Sequence, residues 1–241
     1  MNFINFEDES DQYEHHKISN HVGIYDNFLG KQDFRTMKCL VKDKLDASII
    51  TAGHSSVGYH PYTYTHYSCK LTDLHFFNTF MLKKIEKALN KRFNVLRIYM
   101  SVQKPSEYGN FHTDDHGTDT YTVTIYTSVS SNCDSNRKYK DYTFDETPYN
   151  INTEDSPFKI KKYKEISKND PDEICRAFNE FNINGNFSIK MPYSKDIVHS
   201  VPFVENRLVA FPSTFIHDGN SFNSNLTRTR VVIAFKLKEI K

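Results

Sequence analysis

FHTDDHGTDTYTVTIYTSV, Phe111 to Val129, is the stretch whose reading decides the fold. From Thr118 onward it alternates. Tyr121, Val123, Ile125 and Val129 fall on one side of an extended chain, and Thr120, Thr122, Thr124 and Tyr126 on the other. The first face suits a core. The second is too polar for an ordinary one, and buried hydroxyls need partners, so it either turns to water or lines a ligand site. Just ahead of the strand, His112 and Asp114 stand two residues apart and point the same way wherever the chain is extended. Alone, such a pair reads as a surface turn, because a chain with 11 His and 30 acidic residues contains HxD by chance.

Context changes that reading. His217 follows the apolar run Arg207 to Phe211 and a turn at Pro212, and a further strand opening with Arg230 comes after it. A fold that brings His217 back to His112 and Asp114 makes a face of two imidazoles and one carboxylate, the usual ligand set of non-haem Fe(II). The plainer alternative for His217 is a hydrogen-bonded histidine in a loop. Asp115, His116 and Asp119 are near enough to compete as ligands, but Asp-His-Gly-Thr-Asp is typical turn chemistry. Arg228 and Arg230 lie two apart and so share a strand face. Either offers a fork for a buried carboxylate, or a salt bridge on the rim. Arg230, directly before VVIAF, is the first choice and Arg228 the reserve.

Composition narrows the classes. Lys plus Arg, 31, nearly balances Asp plus Glu, 30, so no net field favours nucleic acid or an acidic membrane. A length of 241 residues suits one domain with a full core. The acidic, polar start resembles no signal or transit peptide, and no apolar run reaches the length of a membrane span. Cys39, Cys69, Cys133 and Cys175 stand far apart without a CxxC pair, which points to a reducing intracellular compartment such as the cytoplasm.

Along the chain, residues 1–20 read as a polar arm, and 21–241 as a single domain. Val22 to Leu29 reads as a short strand ending in a turn, and Lys31 to Leu45 as a helix with Phe34, Met37, Leu40, Val41 and Leu45 on one side. Thr51 to Tyr67 reads as a loop. Asp73 to Phe93 is the strongest helix, with Asp73 as its cap. Val95 to Val102 reads as a strand. Residues 130–182 are charged and irregular, an insertion with a short helix near Asp172 to Phe181 and a basic knot at Lys159 to Lys164 that reads as solvated loop. Strand patterns resume at Phe187 to Lys190, Ile197 to Val201, Arg207 to Phe211 and Arg230 to Leu237. Early helices and later strands, without a βαβ rhythm, give an α+β chain with a strand-built core.

With these pieces in order, the chain resembles the prolyl 4-hydroxylase-like branch of the Fe(II)/2-oxoglutarate dioxygenases over most of residues 20–240. VGIYDNFL with its helix, LRIYMSVQ, FHTDD leading into YTVTIY, ENRLVAFPSTFIH and RTRVVIAFKL carry the likeness. The resemblance implies a double-stranded β-helix (jelly-roll) core with flanking N-terminal helices. It implies His112, Asp114 and His217 as metal ligands and Arg230 for the far carboxylate of 2-oxoglutarate. It also implies Tyr126, Tyr99 and Thr124 near that co-substrate. Fe(II), 2-oxoglutarate and dioxygen follow, with ascorbate as an optional addition. The implied reaction is hydroxylation, since keeping Asp114 leaves no place for the halide a halogenase needs. The implied substrate is a prolyl residue in a protein or peptide, with a free amino acid or other small molecule next; nucleic acid fits poorly. Two other classes stay open: a non-catalytic barrel that only binds a partner, and a cupin-like metalloprotein using His112, His116 and a carboxylate without 2-oxoglutarate. Two departures stand out: a long stretch between Tyr126 and Phe187, and no clear GGxTxF strand, only Tyr142-Thr143-Phe144. The long gap from His217 to Arg230 keeps Arg228 in play.

Overall fold

A computed structural model describes residues 14–19, 22–46, 51–54, 65–103, 112–130, 161–164, 185–190, 197–219 and 228–241. Its strands are β1 (Glu14–Ser19), β2 (Val22–Asp26), β3 (Thr51–His54), β4 (Thr65–Lys70), β5 (Phe93–Gln103) and β6 (Thr120–Ser130). They continue with β7 (Lys161–Lys164), β8 (Phe187–Lys190), β9 (Ile197–Val201), β10 (Leu208–Pro212), β11 (Ile216–Gly219) and β12 (Arg228–Glu239). One sheet has eight strands in the order β1-β2-β10-β6-β12-β5-β4-β3, and the other four in the order β11-β8-β9-β7. A bridge between His112 and His217 adds a rudimentary neighbour beyond β11. The chain therefore crosses from β5 in the large sheet to His112 in the small, back to β6, over to β7, β8 and β9, back to β10, over to β11 and back to β12. That crossing pattern is a double-stranded β-helix, as expected.

Alternation assigns each face of the large sheet. Val123, Ile125, Val129, Val231, Ile233, Phe235 and Leu237 point to a core shared with the helices. That core takes Met37, Val41 and Leu45 from α1 (Lys31–Asp46), and Ile85 from α2 (Leu82–Leu89). The opposite face sends Ile24, Tyr126, Val209, Phe211 and Val232 against Phe187, Ile189 and Val201 of the small sheet. The site lies in this second layer.

Several expectations change. Asp73 does not cap a helix: a π-helical turn, Phe76–Met81, precedes α2, its N-cap position is His75, and Asp73 instead bonds Lys70 Nζ at 3.1 Å. The helix stops at Asn90, left-handed at φ 51°, and Phe93 already belongs to β5. Thr51 to Tyr67 is not all loop, since β3 and β4 extend the large sheet through β5. Neither shows strong alternation, and backbone pairing to an existing edge supplies what the side chains do not. The end of the polar arm is likewise an edge strand, β1 on β2. Within the expected insertion, Lys161–Lys164 pairs with β9. The helix expected near Asp172 to Phe181, Tyr142-Thr143-Phe144, Cys133 and Cys175 lie outside the described residues. Among the described residues no helix is long and apolar enough to cross a membrane.

Candidate functional site

Two short strand ends and one bend assemble the triad. His112 and His217 exchange backbone hydrogen bonds of 3.0 and 2.9 Å, which sets their rings 4.5 Å apart. Asp114 follows in a bend whose amide donates to Ser213 O at 3.0 Å, while Ser213 N donates to Thr120 O at 3.0 Å. The turn after β10 thus holds the acidic ligand beside the start of β6. The ligand atoms of His112, Asp114 and His217 lie within 4.8 Å of one another. Asp114 Oδ1 is 3.5 Å from His112 Nε2, and its Oδ2 is 3.2 Å from His217 Nε2.

Surrounding groups fix these side chains. His217 Nδ1 lies 2.9 Å from Phe215 O. That carbonyl accepts only, so Nδ1 donates to it and Nε2 is the ring atom turned to Asp114. Phe211 and Phe187 pack on the same ring. The Thr122 hydroxyl donates to Asp114 Oδ2 at 2.7 Å, which gives one inward threonine of the polar strand its partner. Lys236 Nζ also donates to Asp114 Oδ2, and lies 3.2 Å from Thr122 Oγ1. Burial alone would raise the Asp114 carboxyl. The hydrogen bonds of His112 and His217 and the Lys236 charge outweigh it and hold the group far below the usual carboxylate range. Two imidazoles and an ionised carboxylate in a place that already attracts a cation make a donor set that fits a divalent metal.

A second charged centre stands on the inward face of β12. Arg230 is 3 % exposed. Its Nε donates to Gly185 O at 3.1 Å and its Nη1 to Gln103 Oε1 at 2.6 Å. Its guanidinium lies 5.2 Å from the centre of the Tyr126 ring. Gln103 Nε2 in turn donates to Gly219 O at 2.9 Å. A Cβ at Gly219 would come within 3.1 Å of Arg230 Nη1, so glycine there lets the guanidinium lie against β11. Asp218, between Gly219 and His217, is buried and its Oδ1 has no hydrogen-bond partner. Burial pushes its carboxyl up, against the pull of His112, His217 and Arg230. Burial also lowers the pKa of Arg230.

Not every expected residue lands at the same end. Tyr126 meets Arg230, and Thr124 Oγ1 is 3.4 Å from the Tyr126 hydroxyl. Tyr99 lies instead beside Lys236, whose Nζ is 5.8 Å from its ring centre. Burial, helped by the Asp114 charge, pushes the Tyr99 phenol up to about 12. Arg228 pairs in register with Ser130, two residues before Arg230 on β12. His116 is exposed, and Asp115 Oδ1 accepts from the backbone N–H of His116 at 2.7 Å and of Gly117 at 3.3 Å, a turn as expected. The sequence reading missed Lys236, Gln103 and Asp218. Lys236 did carry a signal: Arg230, Val232, Ala234 and Lys236 share one face of β12, so a charge sits at an inward position.

No family model matches the chain, and no curated protein matches it. Solved structures do. A Pseudomonas putida prolyl-4-hydroxylase is similar with a TM-score of 0.52 at 10% identity, covering 90% of this chain and 92% of its own. A prolyl hydroxylase from Trichoplax adhaerens, solved in complex with a hypoxia inducible factor oxygen degradation domain peptide fragment, is similar with a TM-score of 0.55 at 12% identity. It covers 91% of this chain and 84% of its own. At such identities the likeness establishes the shared jelly-roll fold.

Proposed function

We propose that this protein is an Fe(II)- and 2-oxoglutarate-dependent dioxygenase that hydroxylates an unactivated C–H bond. One observation carries the reading: a two-histidine-one-carboxylate triad and a buried arginine of β12, its hydrogen bonds ending on neutral groups, meet along one strand, β11. His217 belongs to the triad, and Gly219, two residues on along β11, abuts the Arg230 guanidinium. Two residues of strand span about 7 Å, a length that suits a five-carbon dicarboxylate lying between metal and arginine.

His112, Asp114 and His217 would hold the metal through Nε2, a carboxylate oxygen and Nε2. Fe(II) with 2-oxoglutarate and dioxygen supplies the oxidising power, the 2-oxo acid leaving as succinate and carbon dioxide while one oxygen atom enters the substrate. The protein's own part is placement. Thr122 orients Asp114, the Phe215 carbonyl holds His217 Nδ1 and so turns Nε2 toward the metal position, and Phe187 and Phe211 exclude water from its ring. Arg230 would take the far carboxylate, with Tyr126 and Thr124 along the same wall. Arg228 serves as the alternative seat. The triad needs no His116, which disfavours the cupin-like reading, and a barrel that only binds a partner has no use for this whole set.

A prolyl residue is the substrate suggested by the names of both structural neighbours, and its place in a peptide by the second. A free amino acid or other small molecule is the second reading, and Lys236 at the triad favours it. The test of the class is aerobic incubation with Fe(II) and 2-oxoglutarate. Slow succinate release is expected even without substrate, and its absence from metal-loaded protein would overturn the class.

A further inference from the structure

The dioxygenase reading leaves one positive charge in the site without a partner. A divalent metal is balanced by Asp114 and the inner carboxylate of 2-oxoglutarate, and Arg230 by the outer carboxylate. Lys236 is left over. It is 8 % exposed, and its hydrogen bonds go to Asp114 Oδ2 and Thr122 Oγ1. A carboxylate bonded to a divalent cation has little charge to spare for a second one. Asp218, the other buried carboxylate, lies on β11 next to Gly219, which abuts Arg230, and makes no hydrogen bond to Lys236. Arg97 adds to the imbalance: it sits opposite Lys236 in register on β5, with its guanidinium 4.5 Å from the Tyr99 ring centre. A buried ammonium without a counter-charge is strongly unfavourable, so the missing anion should arrive with the substrate.

Resting on that reading, we propose that Lys236 anchors the substrate and that the substrate is a small carboxylic acid, its carboxylate bonded to Lys236 Nζ with Arg97 on the outer side. Lys236 touches a metal ligand, so an acid held there has its reacting C–H only a few bonds from the carboxylate. A free amino acid or a related acid meets that condition. A prolyl residue inside a peptide does not, because neutral amides flank its ring.

The test uses the full chain loaded with Mn(II) and 2-oxoglutarate, with loading checked first by titration. Failure to load overturns both readings. Acetate and acetamide are then added, and the paramagnetic relaxation of their methyl protons reports approach to Mn(II). Acetate should relax saturably, at concentrations about tenfold or more below any effect of acetamide. Lys236→Met should erase that preference, and Lys236→Arg should keep it. Lys236→Gln provides a second neutral variant should Lys236→Met fail to fold. Equal relaxation by the two probes overturns the proposal and leaves the dioxygenase class standing. So does an acetate preference that survives the neutral variants, since the metal itself would then hold the anion. Stimulation of succinate release by a prolyl peptide with blocked ends overturns it as well.

Discussion

Two buried arginines open apolar strands in this chain, and they are partnered in opposite ways. Arg207, fully buried just before β10, donates from Nε and Nη2 to the two carboxylate oxygens of Asp26 at 2.6 and 2.7 Å, and from Nη1 to Pro202 O at 2.8 Å. Arg230 is equally withdrawn from water, yet its hydrogen bonds end on a backbone carbonyl and a side-chain amide, with a tyrosine ring alongside. The first charge is neutralised inside the fold and ties β2 to the turn before β10. The second is solvated by neutral dipoles, which keep an arginine ionised while leaving its charge for an incoming anion. A fold that hydrogen-bonds a carboxylate to one, and leaves the other only the nearby Asp218 with no hydrogen bond to it, separates a structural cation from a binding one.

Removing Asp26 should give the largest effect on stability. Asp26→Ala leaves the Arg207 guanidinium buried and unpaired, which typically costs about 3–5 kcal/mol. Urea unfolding should show that loss, while 2-oxoglutarate affinity of the folded protein stays close to wild type. Arg230→Met should do the reverse. Stability should change less, since no carboxylate loses a hydrogen bond, whereas 2-oxoglutarate affinity measured calorimetrically with Mn(II) should fall by about 2–5 kcal/mol. If Arg230→Met unfolds the protein as readily as Asp26→Ala, the contrast between the two arginines fails. If Arg228→Met produces the affinity loss instead, the contrast survives two residues away.

Asp114 is an intermediate case, paired inside the fold yet at the site. Its folded pKa is depressed, so in metal-free protein it contributes stability that is fully present above the usual carboxylate range and lost progressively as pH falls through and below it. Between about pH 5 and pH 2 the metal-free wild type should therefore lose on the order of 2 kcal/mol more than Asp114→Asn. Urea midpoints across that range check the sign. Parallel curves would mean that Lys236 and the imidazoles do not hold Asp114 ionised.

The two arginines also show where the sequence stops being readable. NRLVAF and TRVVIAF look alike, and alternation cannot separate them. What distinguishes them is a carboxylate 181 residues from Arg207, and a carbonyl and an amide at Gly185 and Gln103 near Arg230. The faces of β6 were legible because its period-two pattern is broken on the core side only by Thr127, and the triad because His112, Asp114 and His217 sit at strand boundaries. Lys236 was not, because a lysine near a strand end reads as solvated until the second sheet is known to cover that face. Strands β3 and β4 were hidden for a similar reason: an edge is recruited by backbone hydrogen bonds, which carry no side-chain signature.

The smallest expected effect tests whether the space around Arg230 is built for its guanidinium. At Gly219 an added Cβ would stand 3.1 Å from Nη1 and 3.2 Å from Nη2, tighter than ordinary van der Waals contact. Backbone strain is not the obstacle, because Gly219 lies within β11 and has no left-handed φ. The guanidinium has to give way instead, and it is tethered at Gly185 O and Gln103 Oε1. Overpacking of this kind costs roughly 1–3 kcal/mol where nothing can move, and less at the flexible end of a long side chain. Gly219→Ala should therefore lower 2-oxoglutarate affinity by about tenfold or less, through displacement of the far-carboxylate seat, with metal affinity unchanged. Calorimetric titrations of metal and co-substrate on the same variant separate the two. An equal loss of both would locate the disturbance at His217, two residues back on the same strand, and would show that triad and arginine cannot be perturbed independently.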